Sequence, residues 1–335
     1  MPKISVIVPV FNSEKYLKQC LDSLINQTLK DIQIICIDNL STDFSPQIIK
    51  EYTLKDDRFL MVNCPNDLRL GSARNYAMQY ATGDYIHFLD SDDWMESDAY
   101  EKLVNETTDN PDVVCFLWNN IDLKNKTVRP EYYVNSTKYG NFNETPAILD
   151  NLGISVWHRI YKKEFLDKNN LNFNDYPCFE DVEFIYKIII LAEKIKFIDE
   201  HLINYRINNP NSLVGKAYKN SKYIINTYNT IYEFSRMLSA ERRDYLLSHL
   251  LNSVMYRVTG SYVFGFLSFE ELNDFVSNID YSVFLNDKNT YKWYKFYKEI
   301  TRNPKFLIKI KYLTKLFLKN NFYSVYEILK NNTIR

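Results

Sequence analysis

A strict alternation of short β-branched runs with stretches of helical spacing constrains the first third of this chain. Ile4 to Val8 is a β-branched run of the kind covered on both faces of a sheet. Asn12 and Ser13 offer N-caps, and Tyr16, Leu17, Cys20, Leu21 and Leu24 then recur at helical intervals. Ile32 to Ile37 reads as a second buried strand, Pro46 to Leu54 as a helix and Phe59 to Val62 as a short strand. Ser72 is placed to cap a helix running to Ala81, and Tyr85 to Leu89 is again a strand after Gly83. This βαβαβαβ order implies an α/β fold, a parallel sheet with helices on both faces.

Asp98 to Glu106 continues as helix and Val113 to Trp118 as strand, before an irregular, Asn-rich stretch from 119 to 153. Tyr161 to Leu166 reads as a helical start, Val182 to Ile195 as an amphipathic helix and Lys196 to Tyr205 as a strand. Beyond about residue 216 the pattern turns helical with almost no β-run. The chain of 335 residues therefore divides into 1–215 and a helical region, 216–335.

A net charge of -1 argues against a nucleic-acid-binding function. Five Cys without a CxxC pair predict reduced, buried thiols in a cytoplasmic protein, and the four His lack metal-ligand spacing. The run from Met1 to Val10, broken by Pro9, reads as a strand rather than a signal peptide. No uncharged apolar run is long enough to span a membrane. The segment 302–335 interleaves basic residues such as Lys305, Lys309 and Lys315 with Phe306, Ile310 and Phe317. Two readings stand for it: a helix on an anionic membrane surface at the inner face of the cytoplasmic membrane, or one packed on the protein.

In an open parallel sheet, ligands bind beyond the carboxyl ends of the strands. Three segments fall there: Pro9 to Asn12, Asp38 to Asp43, and Asp90-Ser91-Asp92-Asp93. The chain has seven Gly and no glycine-rich phosphate cradle, so a divalent cation held by carboxylates is the economical way to bind a phosphate group. Oxygen ligands suit Mg²⁺ or Mn²⁺.

Pro9-Val-Phe-Asn12, the Asp38 loop, Gly71-Ser-Ala-Arg-Asn75, the Gly83-to-Trp94 segment and Phe179-Glu-Asp-Val-Glu-Phe184 occur in the order found in glycosyltransferase family 2. The chain resembles that family over roughly residues 1–215. The resemblance implies a GT-A fold, a nucleotide-sugar donor, a divalent cation and inversion at the anomeric carbon, with a glycan or lipid-linked acceptor in bacterial surface-polysaccharide synthesis.

It also implies roles. Asp92 and Asp93 hold the metal and the donor diphosphate, with Asp90 near the ribose. Pro9, Phe11 and Asn12 wall the nucleobase site, usually for uracil. The family usually carries a second Asp where Asn39 stands, and an Asn carbonyl can accept the same base N–H; Asp38 remains, and Asp43 caps the next helix. Arg74 steers a carboxylate or the donor, or pairs at the surface. Glu180 and Asp181 are the catalytic carboxylates, with Asp181 the general base, and its helix start favours the ionised form. Arg206 belongs to a loop closing over the diphosphate. Trp157 stacks on the acceptor or packs in the core, Arg159 contacts a phosphate, and Glu183 faces solvent or supports the site. The helical region shapes the acceptor site, a membrane contact or a homo-oligomer interface. The alternatives are a non-catalytic glycan-binding or assembly protein on a degenerate transferase domain, and a sugar nucleotidyltransferase.

Overall fold

A computed structural model describes residues 1–122, 124–132, 139–151, 153–207, 221–263, 267–277 and 279. It divides into two compact units, Met1–Asn209 and Pro210–Arg335.

The first unit opens with β1 (Ile4–Val10), α1 (Glu14–Ile25), β2 (Ile32–Asp38), α2 (Ser45–Lys55), β3 (Phe59–Asn63), α3 (Leu70–Met78) and β4 (Tyr85–Phe88). These strands lie in the order β3-β2-β1-β4 and all pair in parallel. β1 is buried along its whole length, which is why its sequence has no polar alternation. α1 buries Leu17, Cys20, Leu21 and Leu24, one stripe at the i, i+3, i+4, i+7 spacing. Pro9 is tolerated in this central strand because pairing with β4 ends at Ile7, leaving β2 as its partner strand there.

Next come β5 (Trp94–Met95), α4 (Ala99–Asn105), β6 (Val113–Asp122), β7 (Thr127–Pro130), β8 (Tyr139–Gly140), β9 (Arg159–Lys162), α5 (Lys163–Lys168), α6 (Glu180–Leu191) and β10 (Ile195–Ile207). They extend the sheet as β4-β9-β6-β10-β5. β9 runs antiparallel to both β4 and β6, while β10 is parallel to β6 and antiparallel to β5. The sheet is thus parallel in its first half and mixed in its second. β9 and β5 have four and two residues, too few for a period of two to show in the sequence. β10 is longer than its apolar pattern suggests, because register shifts around His201 let Asp199 and Glu200 face out.

All five Cys are buried thiols outside any disulfide. The second unit contains α7 (Ser221–Phe234), α8 (Ala240–Val263) and α9 (Phe269–Ser277). Ile224, Tyr228 and Ile231 of α7 are buried, as are Leu246, Leu247, Leu250, Leu251, Val254 and Val258 of α8. Among the described residues, no helix is long and apolar enough to cross a membrane. The basic segment 302–335 lies outside the described residues.

Candidate active site

The carboxyl ends of β1, β2 and β4 carry three loops that are stitched together. Asn12 turns into the left-handed region at φ 49°. Its Oδ1 accepts from the Thr42 N–H at 2.8 Å, and the Ser41 hydroxyl accepts from its own N–H. The Ser13 hydroxyl pairs with that of Ser91 at 2.7 Å instead of capping α1. The acceptor at that helix start is Asp43, which takes N–H bonds from Glu14 and Ser45, while Glu14 accepts from the Phe44 N–H. Burial opposes ionisation of Asp43, yet these bonds win and lower its pKa.

Asp38 is buried at the end of β2. One carboxylate oxygen accepts from the Ser41 N–H at 3.3 Å, and the other is buried without a hydrogen-bond partner. Asn39 is not available in the way the sequence suggests. Its amide donates to the Leu68 carbonyl at 2.6 Å and accepts from the Leu68 N–H at 2.9 Å. Both ends of that side chain are spent on holding the chain beyond β3. Phe11 is 57% exposed, leaving an aromatic face open at the mouth.

The four residues Asp90 to Asp93 divide by environment. Asp90 Oδ1 accepts from Arg74 Nη2 at 2.8 Å. Asp92 is partly exposed. Asp93, expected to share a cation with Asp92, lies wholly inside the fold. Its Oδ1 accepts from the Arg206 N–H at 2.8 Å, and its Oδ2 is buried without a hydrogen-bond partner. Burial first, then the charges of Asp92 and Asp90, push its carboxyl well above the ordinary range against the bond from Arg206.

Arg206 stands in β10 rather than on the expected closing loop, because Trp94 and Met95 pair with Asn204 and Ile203 and draw that strand beside the acidic turn. The guanidinium lies over the rings of Tyr16 and Trp94, at 4.7 and 4.4 Å from their centroids. It donates to the Asp92 carbonyl and to Gln19 Oε1. Arg206 therefore braces the acidic turn.

Arg74 steers a carboxylate of the acidic turn, as one of its two readings has it, and does not pair at the surface: its side chain is 2% exposed and joins Asp90 to Glu180, whose Oε1 accepts from Nη1 at 2.9 Å. Burial works against the guanidinium, yet the charges of Asp90, Glu180 and Asp181 outweigh it and raise its pKa. Glu180, expected beside Asp181 as a catalytic carboxylate, is buried and committed to this ion pair. Asp181 is partly exposed in the first turn of α6, which Phe179 enters at a left-handed φ of 64°. Tyr205 senses both acidic groups: burial, then Asp93, Asp90, Asp92 and Asp181, raises its hydroxyl. Its ring stacks on Trp157 at 4.7 Å and 15°.

Of the two readings of Trp157, the core one holds: it is buried between Tyr205 and Trp118, beneath the site. Arg159 is fully buried and donates to the carbonyls of Ser155 and Gly153, which leaves it no phosphate to meet. Glu183 is buried and accepts from Asn174 and Lys187, so it does not face solvent. The sequence gives Gln19 and Asn75 no role, reads Tyr16 only as part of a helical stripe and Ser72 only as a helix cap. For Ser72 and Asn75 the signal was present, inside the Gly71-to-Asn75 motif.

Among the described residues, no cluster of three or more His, Cys, Asp or Glu side chains is arranged to hold a metal ion. Mg²⁺ or Mn²⁺ needs only one or two carboxylates when substrate phosphates complete the shell. Asp92 fits that requirement in being partly exposed, while Asp93 is wholly buried.

A half-parallel sheet with an acidic turn beyond its strand ends, and a second acidic helix start joined to that turn, defines the GT-A class. The family described as "Glycosyl transferase family 2" matches residues 5–169. A Bacillus subtilis protein described as uncharacterized glycosyltransferase EpsJ is 34% identical over 230 residues, 65% of either chain. This chain therefore spans just under two thirds of that relative's length. A cholesterol galactosyltransferase of Borreliella burgdorferi is 28% identical over 311 residues, 88% of this chain and 80% of that one. The crystal structure of S. aureus TarS 1-349 in complex with UDP-GlcNAc shares the fold, with a TM-score of 0.70 at 22% identity over 84% of this chain and 82% of that one. A Methanocaldococcus jannaschii protein described as uncharacterized glycosyltransferase MJ1057 is 30% identical over 235 residues, 68% of this chain and 79% of that one; with the family match, this shows that the chain belongs to glycosyl transferase family 2.

Proposed function

We propose that this chain is an inverting glycosyltransferase that moves a sugar from a nucleotide-diphosphate donor, a UDP-sugar, to a hydroxyl of a glycan or lipid-linked acceptor. The observation that carries this reading is the Arg74 bridge. It ties Asp90 of the acidic turn after β4 to Glu180 in the first turn of α6, which supports a reading in which Asp90 and Asp181 serve one site.

In this reading Asp181 takes the proton from the acceptor hydroxyl. That oxygen attacks the anomeric carbon from the face opposite the diphosphate; the new C–O bond forms as the bond to the phosphate oxygen breaks. An α-linked donor gives a β-linked product. Phe11 packs against the base, and the unpaired oxygen of Asp38 accepts the base N–H that Asn39 cannot. Asp92 would hold Mg²⁺ or Mn²⁺, which offsets charge on the departing diphosphate. Glu180 and Arg74 set the carboxylates at their places.

Residues 1–215 form the donor and catalytic domain in this proposal, and 216–335 serve the acceptor, a membrane surface or an oligomer. A lipid acceptor is the second reading. It is favoured by the cholesterol galactosyltransferase, whose alignment extends over both units of this chain. Flotation of the full chain with anionic liposomes, and its loss on truncation near residue 300, tests whether the basic segment contributes.

The experiment for the main reading is a panel of nucleotide sugars with Mn²⁺, followed by thermal shift and by UDP release with candidate acceptors. Asp181→Asn is expected to abolish transfer while retaining UDP binding. A wild-type chain that binds no nucleotide sugar would return the function to the non-catalytic alternative.

A further inference from the structure

The opening of α3 does something that neither donor binding nor proton transfer explains. Gly71, Ser72, Arg74 and Asn75 all point their contacts at one distant stretch, residues 173–180. The Asn75 amide donates to the Phe173 carbonyl at 2.8 Å and accepts from the Phe173 N–H at 2.8 Å, gripping one backbone residue from both sides. The Ser72 hydroxyl donates to Asp175 at 2.6 Å. Arg74 holds Glu180. Gly71 is what lets the segment come this close: a Cβ there would sit 2.5 Å from the Asn174 carbonyl oxygen and 3.2 Å from Glu180 Cβ.

The gripped segment is coupled to α6. The Phe173 ring stacks on that of Phe184 at 4.0 Å and 18°. Phe184 lies three residues beyond Asp181, one turn along the same helix face. Both ends of the six-residue stretch 174–179 are thus fixed to α3, and the helix start carrying Asp181 follows directly. A hydrogen-bonded side chain on a rigid helix is a more exact support than a loop alone.

From this geometry we infer that the Gly71-to-Asn75 stretch is a cradle for the general-base loop, and that Asn75 is a positioning residue for Asp181. The inference rests on the reading of Asp181 as the base. Both ends of the Asn75 amide are taken by the Phe173 backbone, and it acts through that residue. A base displaced by about 1 Å costs up to about 100-fold in the chemical step while donor binding survives.

The test uses the full chain. Asn75→Ala, Asn75→Asp, Ser72→Ala and Asp181→Asn are compared by UDP calorimetry with Mn²⁺, and by kcat and KM for UDP release from the donor the nucleotide-sugar panel selects. Asn75→Ala is expected to lower kcat at least about tenfold, with the UDP Kd and donor KM within about twofold. Ser72→Ala removes one exposed hydrogen bond, cannot unfold the domain, and should lower kcat several-fold in the same pattern. Asn75→Asp, which keeps the acceptor for the Phe173 N–H and loses the donor, should fall between wild type and Asn75→Ala. Combined with Asp181→Asn, Asn75→Ala should add almost nothing, because the group it positions is gone. If Asp181→Asn is inactive while Asn75→Ala and Ser72→Ala keep full kcat, the cradle is wrong and the base reading stands. Equal losses in kcat and UDP affinity would show a general structural role and overturn it too. If Asp181→Asn transfers normally, the base reading fails first, and the inference falls with it.

Discussion

Arg74 Nη1 lies 2.9 Å from Glu180 Oε1 across 106 residues of sequence, with the guanidinium almost wholly shielded from water. Its other nitrogen reaches Asp90, so one cation neutralises a carboxylate from each acidic motif. Cutting such a pair leaves buried charge without compensation. Arg74→Met should therefore cost about 3–5 kcal/mol of unfolding free energy, measured by urea denaturation. Arg74→Lys keeps the charge but cannot bridge both partners, and should fall in between. A loss below about 1 kcal/mol, the range of an exposed pair, would mean that the bridge is not a buried one.

Asp92 and Asp93 are neighbours with opposite surroundings, and they should respond differently to the same change. Asp92→Asn is expected to weaken Mn²⁺-dependent UDP binding at least about tenfold, because in the proposed reading it removes the partly exposed carboxylate that would hold the cation. Asp93→Asn should leave that dependence nearly intact. Its amide oxygen can still accept from the Arg206 N–H, and the buried carboxyl whose pKa is raised has been replaced by a neutral group of similar shape. Calorimetry with UDP, with and without Mn²⁺, reads both. Equal losses in the two variants would make Asp93 a ligand after all.

The parallel half of the sheet and the position of the acidic turn were legible because buried strands and amphipathic helices leave strong periodic signals. Ile4 to Val8 and Leu17 to Leu24 could hardly be read otherwise. The partners of the acids were not legible. Arg74 looks like any helix arginine until the fold brings Glu180 to it, and Asn39 looks like a weakened ligand until Leu68 occupies its amide. Ser72 reads as a helix cap, but α3 begins at Leu70 and the hydroxyl goes to Asp175. Side chains that act across separations of 29 to 106 residues carry no local pattern, so their roles appear only when the chain is folded.

His87 stands in β4 with Nδ1 2.8 Å from the Tyr100 hydroxyl and Nε2 2.7 Å from the Trp157 carbonyl, and the Phe116 ring packs beside it. Burial lowers its pKa to about 4, against the Trp157 bond and the charge of Asp90. The folded pKa is below the unfolded one, so between about 6.5 and 4 the unfolded chain binds the extra proton. Stability contributed by this group is full above that window and is lost as pH falls through it, at about 1.4 kcal/mol per pH unit. His158 is depressed in the same direction, by burial and then by Arg159. Urea midpoints should drop from pH 7 to pH 4.5, less steeply in His87→Gln. An unchanged slope in that variant would assign the loss to other groups.

Arg206 supplies the last case, because two roles predict different results for one substitution. Its backbone N–H holds Asp93, its guanidinium holds the Asp92 carbonyl and Gln19, and the rings of Tyr16 and Trp94 flank it. A lysine keeps the charge but lacks the planar fork that stacks and donates at once. If Arg206 braces the turn, Arg206→Lys loses about 1.5–3 kcal/mol of stability, and UDP binding weakens because Asp92 is no longer held in place. Trp94→Leu, which removes one face of the stack without touching a carboxylate, should weaken UDP binding in the same direction. If Arg206 instead meets the donor diphosphate, the lysine variant loses UDP affinity at unchanged stability, and Trp94→Leu leaves that affinity alone. Urea unfolding and UDP calorimetry on the two variants separate these outcomes.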